Sequence, residues 1–409
     1  MNQKLFHKNF TLLLLGQITS LLGNFTLKFA LSMYVLELTG SASVFGGLLA
    51  LSMIPTIVLS PLGGILADRR NRRRLMIALD LLSGVSVLAA ALLLSPSSSL
   101  WVVGILLVIL SILGAFESPV VSACIPELLS QDQLISGNAA VNQAAAILSL
   151  VTPFLGSLLY SSFGIHPILY GTMACFFLTA LLETLLRLPY RKPEKTGFLP
   201  SVIREDFLLS MDFLCRKEPD ILRLLLLAGL VSLFLAGILV VGFPYLIRTV
   251  MGLSARLYGA AESAMGAAAI LGSLAVALLA KRLRFSHLAL IFLSFGGSLI
   301  LGGFLFLLPI GVIPRYLSLI LLFGACQFGC SIFSTYAMSV IQSRTPKQLM
   351  GKVMSYVFTL SLCAQPLGQL LYGYLFDRFS QNIFWILLLS GLVVCSIGFL
   401  SKGFFEKKV

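Results

Sequence analysis

The chain alternates long apolar runs with short polar or charged breaks. Twelve runs stand out, at roughly 10–37, 43–67, 74–94, 100–124, 137–160, 167–188, 221–247, 256–280, 286–308, 315–340, 352–376 and 382–402. Each is close to or above the ~20 residues that a helix needs to cross a bilayer. The breaks carry turn formers or charge: Thr39-Gly40-Ser41, Ser95-Pro96-Ser97-Ser98-Ser99, the stretch from Pro309 to Arg315, and Asp377-Arg378. This pattern predicts an all-α integral membrane fold of twelve transmembrane helices.

Composition agrees with that reading. The chain of 409 residues is 58% hydrophobic and 11% charged, against about 25% charged for a soluble domain. A net charge of +13 would suggest nucleic acid as a partner in a soluble protein. Here the bases cluster between the apolar runs, so no nucleic-acid partner is expected. With the N-terminus placed in the cytoplasm, the inner loops and tails hold Lys4, Lys8, the five arginines from Arg69 to Arg74, the bases from Arg187 to Arg223, Lys281, Arg282, Arg284, Arg344, Lys347, Lys352, Lys402, Lys407 and Lys408. The outer side holds Arg248, Arg256, Arg315 and Arg378. That asymmetry predicts cytoplasmic termini and residence in the cell membrane. The run from Phe10 to about Leu38 exceeds a signal-peptide core of about 7–15 residues, so it is read as a retained first helix.

The longest polar stretch, Pro189 to Asp220, divides the runs six and six. It predicts an N-terminal bundle over 1–188, a cytoplasmic connector over 189–220 with a short surface helix around 201–216, and a C-terminal bundle over 221–409. The halves look related. A shift of 212 residues lays Gly156-Ser157-Leu158-Leu159-Tyr160 on Gly368-Gln369-Leu370-Leu371-Tyr372, and Arg69, Arg70 and Arg72 on Lys281, Arg282 and Arg284. Parallel six-helix repeats are an internal symmetry of transporter folds.

The segment from Gly64 to Arg74 carries one acid in a very basic turn between two spans: Gly64, Asp68, Arg69, Arg72 and Arg73 stand in it, with Asn71 where a tight left-handed turn is expected. It resembles the loop between the second and third helices of the major facilitator superfamily, in which glycine usually stands at the position of Asn71. Helix five reads Val151-Thr152-Pro153-Phe154-Leu155-Gly156-Ser157. Pro153 and Gly156 match the Gly-Pro-x-x-Gly-Gly signature of drug–proton antiporters, whereas Thr152 and Ser157 replace glycines. Leu38-Thr39-Gly40-Ser41-Ala42 and Ile125-Pro126-Glu127-Leu128 look like the macrolide-efflux branch. The resemblance covers essentially the whole chain. It implies the major facilitator fold, with Asp68 near the start of helix eleven at Thr345-Pro346, where a helix N-terminus favours a carboxylate by about 0.3–1 kcal/mol. Gating would then involve Gly64, Asp68, Arg69, Arg72 and Arg73, with Glu127 as the acid paired to Arg72 or Arg73.

Four ionisable residues fall within spans, Lys28, Asp80, Glu117 and Glu262. Each costs about 2.5–3.5 kcal/mol at a helix centre on insertion scales, so each needs water, a partner or a function. Lys28 and Glu262 lie at similar depth, so they are candidates for a pair. Glu117 and Glu262, with Lys28, are the candidates for proton coupling. Antiporters of the superfamily often have arginine in helix four; this chain has none there. Asp80 is expected to pair with an arginine of the basic turn, and Glu37 and Glu183 to be interfacial. Gln17, Asn24, Tyr34, Phe116, Phe234, Tyr245, Gln327 and Tyr336 lie on helices one, four, seven and ten and are candidates to line a substrate cavity.

No Gly-x-x-x-x-Gly-Lys-Ser/Thr loop occurs, which argues against ATP hydrolysis. The cysteines and His7, His166 and His287 form no metal spacing, so no metal or cofactor is expected. The combined reading is a monomeric secondary transporter that exports hydrophobic small molecules in exchange for protons, and not an enzyme. Transport of a lipid, a lysophospholipid or a nutrient, and a non-transporting receptor or scaffold, remain as alternatives.

Overall fold

The computed structural model describes residues 5–95, 99–188, 216, 218–279, 286–345 and 350–405, and within these the side chains other than those at 61, 64, 65, 67–69, 135, 235, 350–358 and 360. The expected connector at 189–220 lies almost wholly outside the described residues, as do Pro346, Lys281, Arg282 and Arg284.

The described chain is helical throughout. The helices are α1 (Lys8–Thr39), α2 (Ala42–Arg69), α3 (Arg72–Leu93), α4 (Ser99–Leu128), α5 (Leu134–Phe163), α6 (Ile165–Thr184), α7 (Pro219–Val250), α8 (Ala255–Leu279), α9 (His287–Phe304), α10 (Val312–Arg344), α11 (Met350–Arg378), α12 (Ile383–Leu400) and the short α13 (Lys402–Phe405). Eleven of them are long and apolar enough to cross a membrane among the described residues, and α11 adds a further 29-residue helix. In hydrocarbon no water can satisfy a free N–H or C=O, which is why apolar runs of this length resolve into helices. Large apolar side chains stay on the outside: Trp101 is 78% exposed, Leu321 75% and Leu400 81%. Lipid solvates such a surface; in water it would drive aggregation.

The breaks are built as the turn residues require. Gly40 ends α1 in the left-handed conformation at φ 61°, its N–H bonded to the Leu36 carbonyl at 2.8 Å. Asn71 corrects the expectation of a left-handed turn. Its φ is −67° with extended ψ, and its side-chain oxygen caps α3 by accepting from the Arg74 N–H. Asparagine suits this place as a helix cap and not for its tolerance of positive φ. Within α7, Leu235–Gly242 and Leu246–Val250 widen into π turns, local irregularities that periodicity did not reveal.

Contacts divide the chain into two compact units. The first comprises Met1–Gly40, Leu48–Lys195 and Ser254–Ser263; the second comprises Ser41–Gly47, Thr196–Leu253 and Ala264–Val409. In the first, α1 packs on α5 and α6, and α3 packs on α4 and α6. In the second, α7 packs on α11, and α9 packs on α10 and α12. Several pairings thus recur one repeat later, α1·α5 as α7·α11 and α3·α6 as α9·α12.

Small residues explain why short stretches of α2 and α8 join the units they do. In the second unit a Cβ on Gly46 would lie 2.5 Å from the Gln369 carbonyl oxygen, and one on Gly373 would lie 2.8 Å from the Ala42 oxygen. Asp377, at the end of α11, caps the start of α2: its carboxylate accepts from Ser41 Oγ at 2.5 Å, Ala42 N at 2.7 Å and Ser43 N at 2.9 Å. In the first unit Gly259 of α8 abuts Ser157 and the Pro153 carbonyl of α5, while Arg256 donates to Ser161 Oγ at 2.8 Å and Ser162 Oγ at 3.2 Å. Ser157 and Gln369 are the residues that the 212-residue shift superposes, so one close approach is made twice.

Adjacent glycines in α2 test this packing. Gly46→Ala must push α2 from α11, and it is expected to lower unfolding stability by about 1–3 kcal/mol. Gly47, whose Cβ would meet nothing within 4 Å, is expected to be neutral or slightly stabilising as Ala, because it gains helix propensity. Thermal unfolding of the purified variants in one detergent checks the contrast.

Candidate functional site

Among the described residues, two polar centres stand out in the first unit. One joins α1 to the first turns of α8. Phe29 stacks on Tyr258 with ring centroids 5.4 Å apart at 17°. One turn further on, Glu262 takes a hydrogen bond from the Tyr258 hydroxyl, and the Lys28 ammonium lies within electrostatic range of its carboxylate. The Glu262 Oε2 atom is buried without a hydrogen-bond partner among the described residues. Lys28 and Glu262, paired in expectation by depth alone, are thus brought to one place. Tyr258 was missed, although its i,i+4 spacing to Glu262 on a helix was visible in the sequence.

The other centre lies between α1, α3, α4 and α6. Ser20 Oγ donates to Glu117 Oε1 at 3.2 Å. Asp80 is fully buried and Glu183 is 2% exposed, and their carboxyls face one another. Asp80, expected to pair with an arginine of the basic turn, has no partner for either oxygen among the described residues, and the Arg69 side chain lies outside them. Glu183 stands in the last turn of α6, as its place at a helix end implied, and is buried within the unit. Two of the arginines are engaged elsewhere. Arg72 Nη1 donates to Glu127 Oε1 at 2.7 Å and to the Ala123 carbonyl at 2.9 Å. Arg73 Nε donates to the Glu183 carbonyl at 3.2 Å, and its Nη2 to that of Thr184. Arg73 therefore closes the last turn of α6, where helix carbonyls lack partners of their own.

The remaining candidates divide. The side chains of Gly64, Asp68 and Arg69 lie outside the described residues. In helix five, Gly156 lies against Phe29 and Thr26 of α1, and the Pro153 carbonyl lies against Gly259, so both residues serve close packing. Gln17, Asn24, Tyr34, Phe116, Gln327 and Tyr336 are half-buried. Phe234 and Tyr245 correct the cavity assignment. They are 9% and 4% exposed and pack on Tyr372 and Phe376 of α11, with centroids 6.1 Å and 5.8 Å apart. Nearby in α7, Gly237 lies against Tyr372 and Gly242 against Phe376.

A family model described as Major Facilitator Superfamily matches residues 13–368. The chain belongs to this superfamily. Macrolide efflux protein A of Streptococcus pyogenes is 25% identical to it over 386 residues, which is 93% of this chain and 92% of that one. Enterobactin exporter EntS of Salmonella paratyphi A is 26% identical over 315 residues, 76% of this chain and 72% of that one. Among solved structures, a bacterial homologue of the iron transporter ferroportin has a TM-score of 0.73 at 16% identity, covering 98% of this chain and all of the other; at that identity the likeness concerns fold alone. This member of the superfamily is a multi-pass membrane transporter and not an enzyme.

The Arg72–Glu127 pair is about a quarter exposed, and such pairs contribute about 0–1 kcal/mol. Glu127→Gln retains an acceptor for Arg72. It is expected to change unfolding stability by less than about 1 kcal/mol in a thermal melt of the purified transporter.

Proposed function

We propose that this chain is a secondary transporter that exports hydrophobic small molecules from the cell in exchange for protons. The observation that carries the reading is the set of Lys28, Tyr258 and Glu262 in one unit: an intramembrane carboxylate with a base in range, a hydroxyl bonded to it and one oxygen without a partner among the described residues. Charged groups inside a span are costly, and a group that exchanges a proton during transport gives a reason to keep one. The names of the relatives, macrolide efflux protein A and enterobactin exporter, support outward movement of sizeable organic molecules.

In this reading the protein sits as a monomer in the cell membrane with both termini in the cytoplasm, and residues 1–188 rock against 221–409 in alternating access. Protonation of Glu262 discharges it and releases Lys28 from its counter-charge. Deprotonation restores the pair. The two charge states stabilise different arrangements, and the proton gradient drives the cycle by binding on one side and leaving on the other. Glu117 is the second acid of the coupling set, and the basic turn with Asp68, Arg69, Arg72, Arg73 and Glu127 is the inner gate. The half-buried Gln17, Asn24, Tyr34, Phe116, Gln327 and Tyr336 offer aromatic faces and amides suited to a lipophilic ligand.

Proteoliposomes with an imposed pH gradient test the proposal on a panel of lipophilic dyes and macrolides. Wild-type movement is expected to follow the gradient and to stop when a protonophore collapses it. Glu262→Gln is expected to lose gradient-driven accumulation while still exchanging labelled for unlabelled dye. Movement that ignores the gradient would overturn proton antiport.

A further inference from the structure

Of the four-helix centre around Asp80 only Glu117 enters that cycle, and the composition of the rest is unusual for a membrane interior. It brings three carboxyls together: Asp80 from α3, Glu117 from α4 and Glu183 from the end of α6. Ser20 on α1 and Cys124 on α4 lie beside it. The nearest bases are committed, Arg73 to backbone carbonyls and Arg72 to Glu127 and Ala123. Ser20 has one hydroxyl proton, and it points to Glu117. Neither oxygen of Asp80, nor Glu183 Oε2, has a donor among the described residues.

Two ionised carboxylates facing each other in a dry interior would repel one another and leave their acceptors unsatisfied. One proton held between them removes both penalties, because a protonated carboxyl supplies the missing donor. A metal ion would demand several well-placed ligands, and no group of three His, Cys, Asp or Glu arranged to hold one occurs among the described residues. A proton needs only two oxygens. The order Glu183, Asp80, Ser20, Glu117 also runs from the α6 terminus beside Arg73 to the middle of α4.

We propose that Asp80, Glu183 and Glu117, bridged by Ser20, form a proton-binding site that takes up the driving ion at the basic-turn end of the first unit. The inference rests on the proton-antiport reading for its role in coupling, and on the buried carboxyl arrangement for its existence. Proton transfer along it conserves atoms and charge: a carboxyl O–H bond breaks at one acid as another forms at the next, with the Ser20 hydroxyl accepting one proton as it donates its own.

Infrared spectroscopy of the wild-type transporter in lipid nanodiscs at neutral pH is expected to show a protonated-carboxyl C=O band that shifts in heavy water. The band is expected to be lost in Asp80→Asn and in Glu183→Gln. In proteoliposomes Asp80→Asn is expected to reduce pH-driven dye export at least tenfold, about 1.4 kcal/mol, while exchange of labelled for unlabelled dye persists. Ser20→Ala, which removes no acid, is expected to keep the band and slow pH-driven export, so the test survives if an acid variant fails to fold. Absence of the band in wild type, its persistence in both acid variants, or export that follows a sodium gradient would overturn the proposal. A band that Asp80→Asn removes, in a protein whose transport ignores pH, would sustain the proton site and refute the antiport reading instead.

Discussion

Close backbone approach at glycine is the constraint on which this fold depends. Lipid tails are as apolar as leucine, so helices gain little by hiding apolar faces from the bilayer and must be held by close packing and buried polar contacts. Gly46 against the Gln369 carbonyl and Gly259 against Ser157 meet that need twice, with Ser157 and Gln369 superposed by the repeat and the two glycines one residue out of step. Each contact carries its own polar anchor, Asp377 on the start of α2 and Arg256 on the end of α5. These anchors differ chemically although the glycine contacts match, so the repeat has kept its packing while its charges diverged.

The second constraint is the cost of charge in an apolar medium. The protein handles it differently at its two polar centres. Lys28 and Glu262 balance in sign, with Tyr258 adding a hydrogen bond. Around Asp80 the carboxyls meet with no base among the described residues bonded to their oxygens. Arg72 and Arg73 sit close in sequence, yet their donors go to Glu127 and to helix-end carbonyls. A guanidinium at a helix C-terminus satisfies several carbonyls at once, a use that competes with neutralising an acid two turns away.

The sequence alone determined a good deal. The apolar runs set the number and extent of the helices, because a continuous run of about 20 residues is twice what a membrane strand needs and fits a helical span. Gly40 marked a helix end through its backbone freedom, and the basic turn with the helix-five residues pointed to the superfamily. The proximity of Lys28 to Glu262 followed from depth, which span boundaries convey, whereas the resemblance offered Arg72 or Arg73 for Glu127 and the fold chose Arg72.

Only the tertiary structure decided which faces of those helices meet. Phe234 and Tyr245 looked like cavity residues because aromatics on helix seven suit a ligand, but in the fold they pack on Tyr372 and Phe376 of α11. Asp80 lay near a run of arginines in the chain and was assigned to them. In the fold it faces Glu183, about a hundred residues later, because α3 packs on α6. Nearly every residue in a span is apolar, so hydropathy carries almost no rotational information about a helix. Rotation and neighbour choice are instead settled by small residues, π turns and buried hydrogen bonds, each of which exists only once the partner helix is in place.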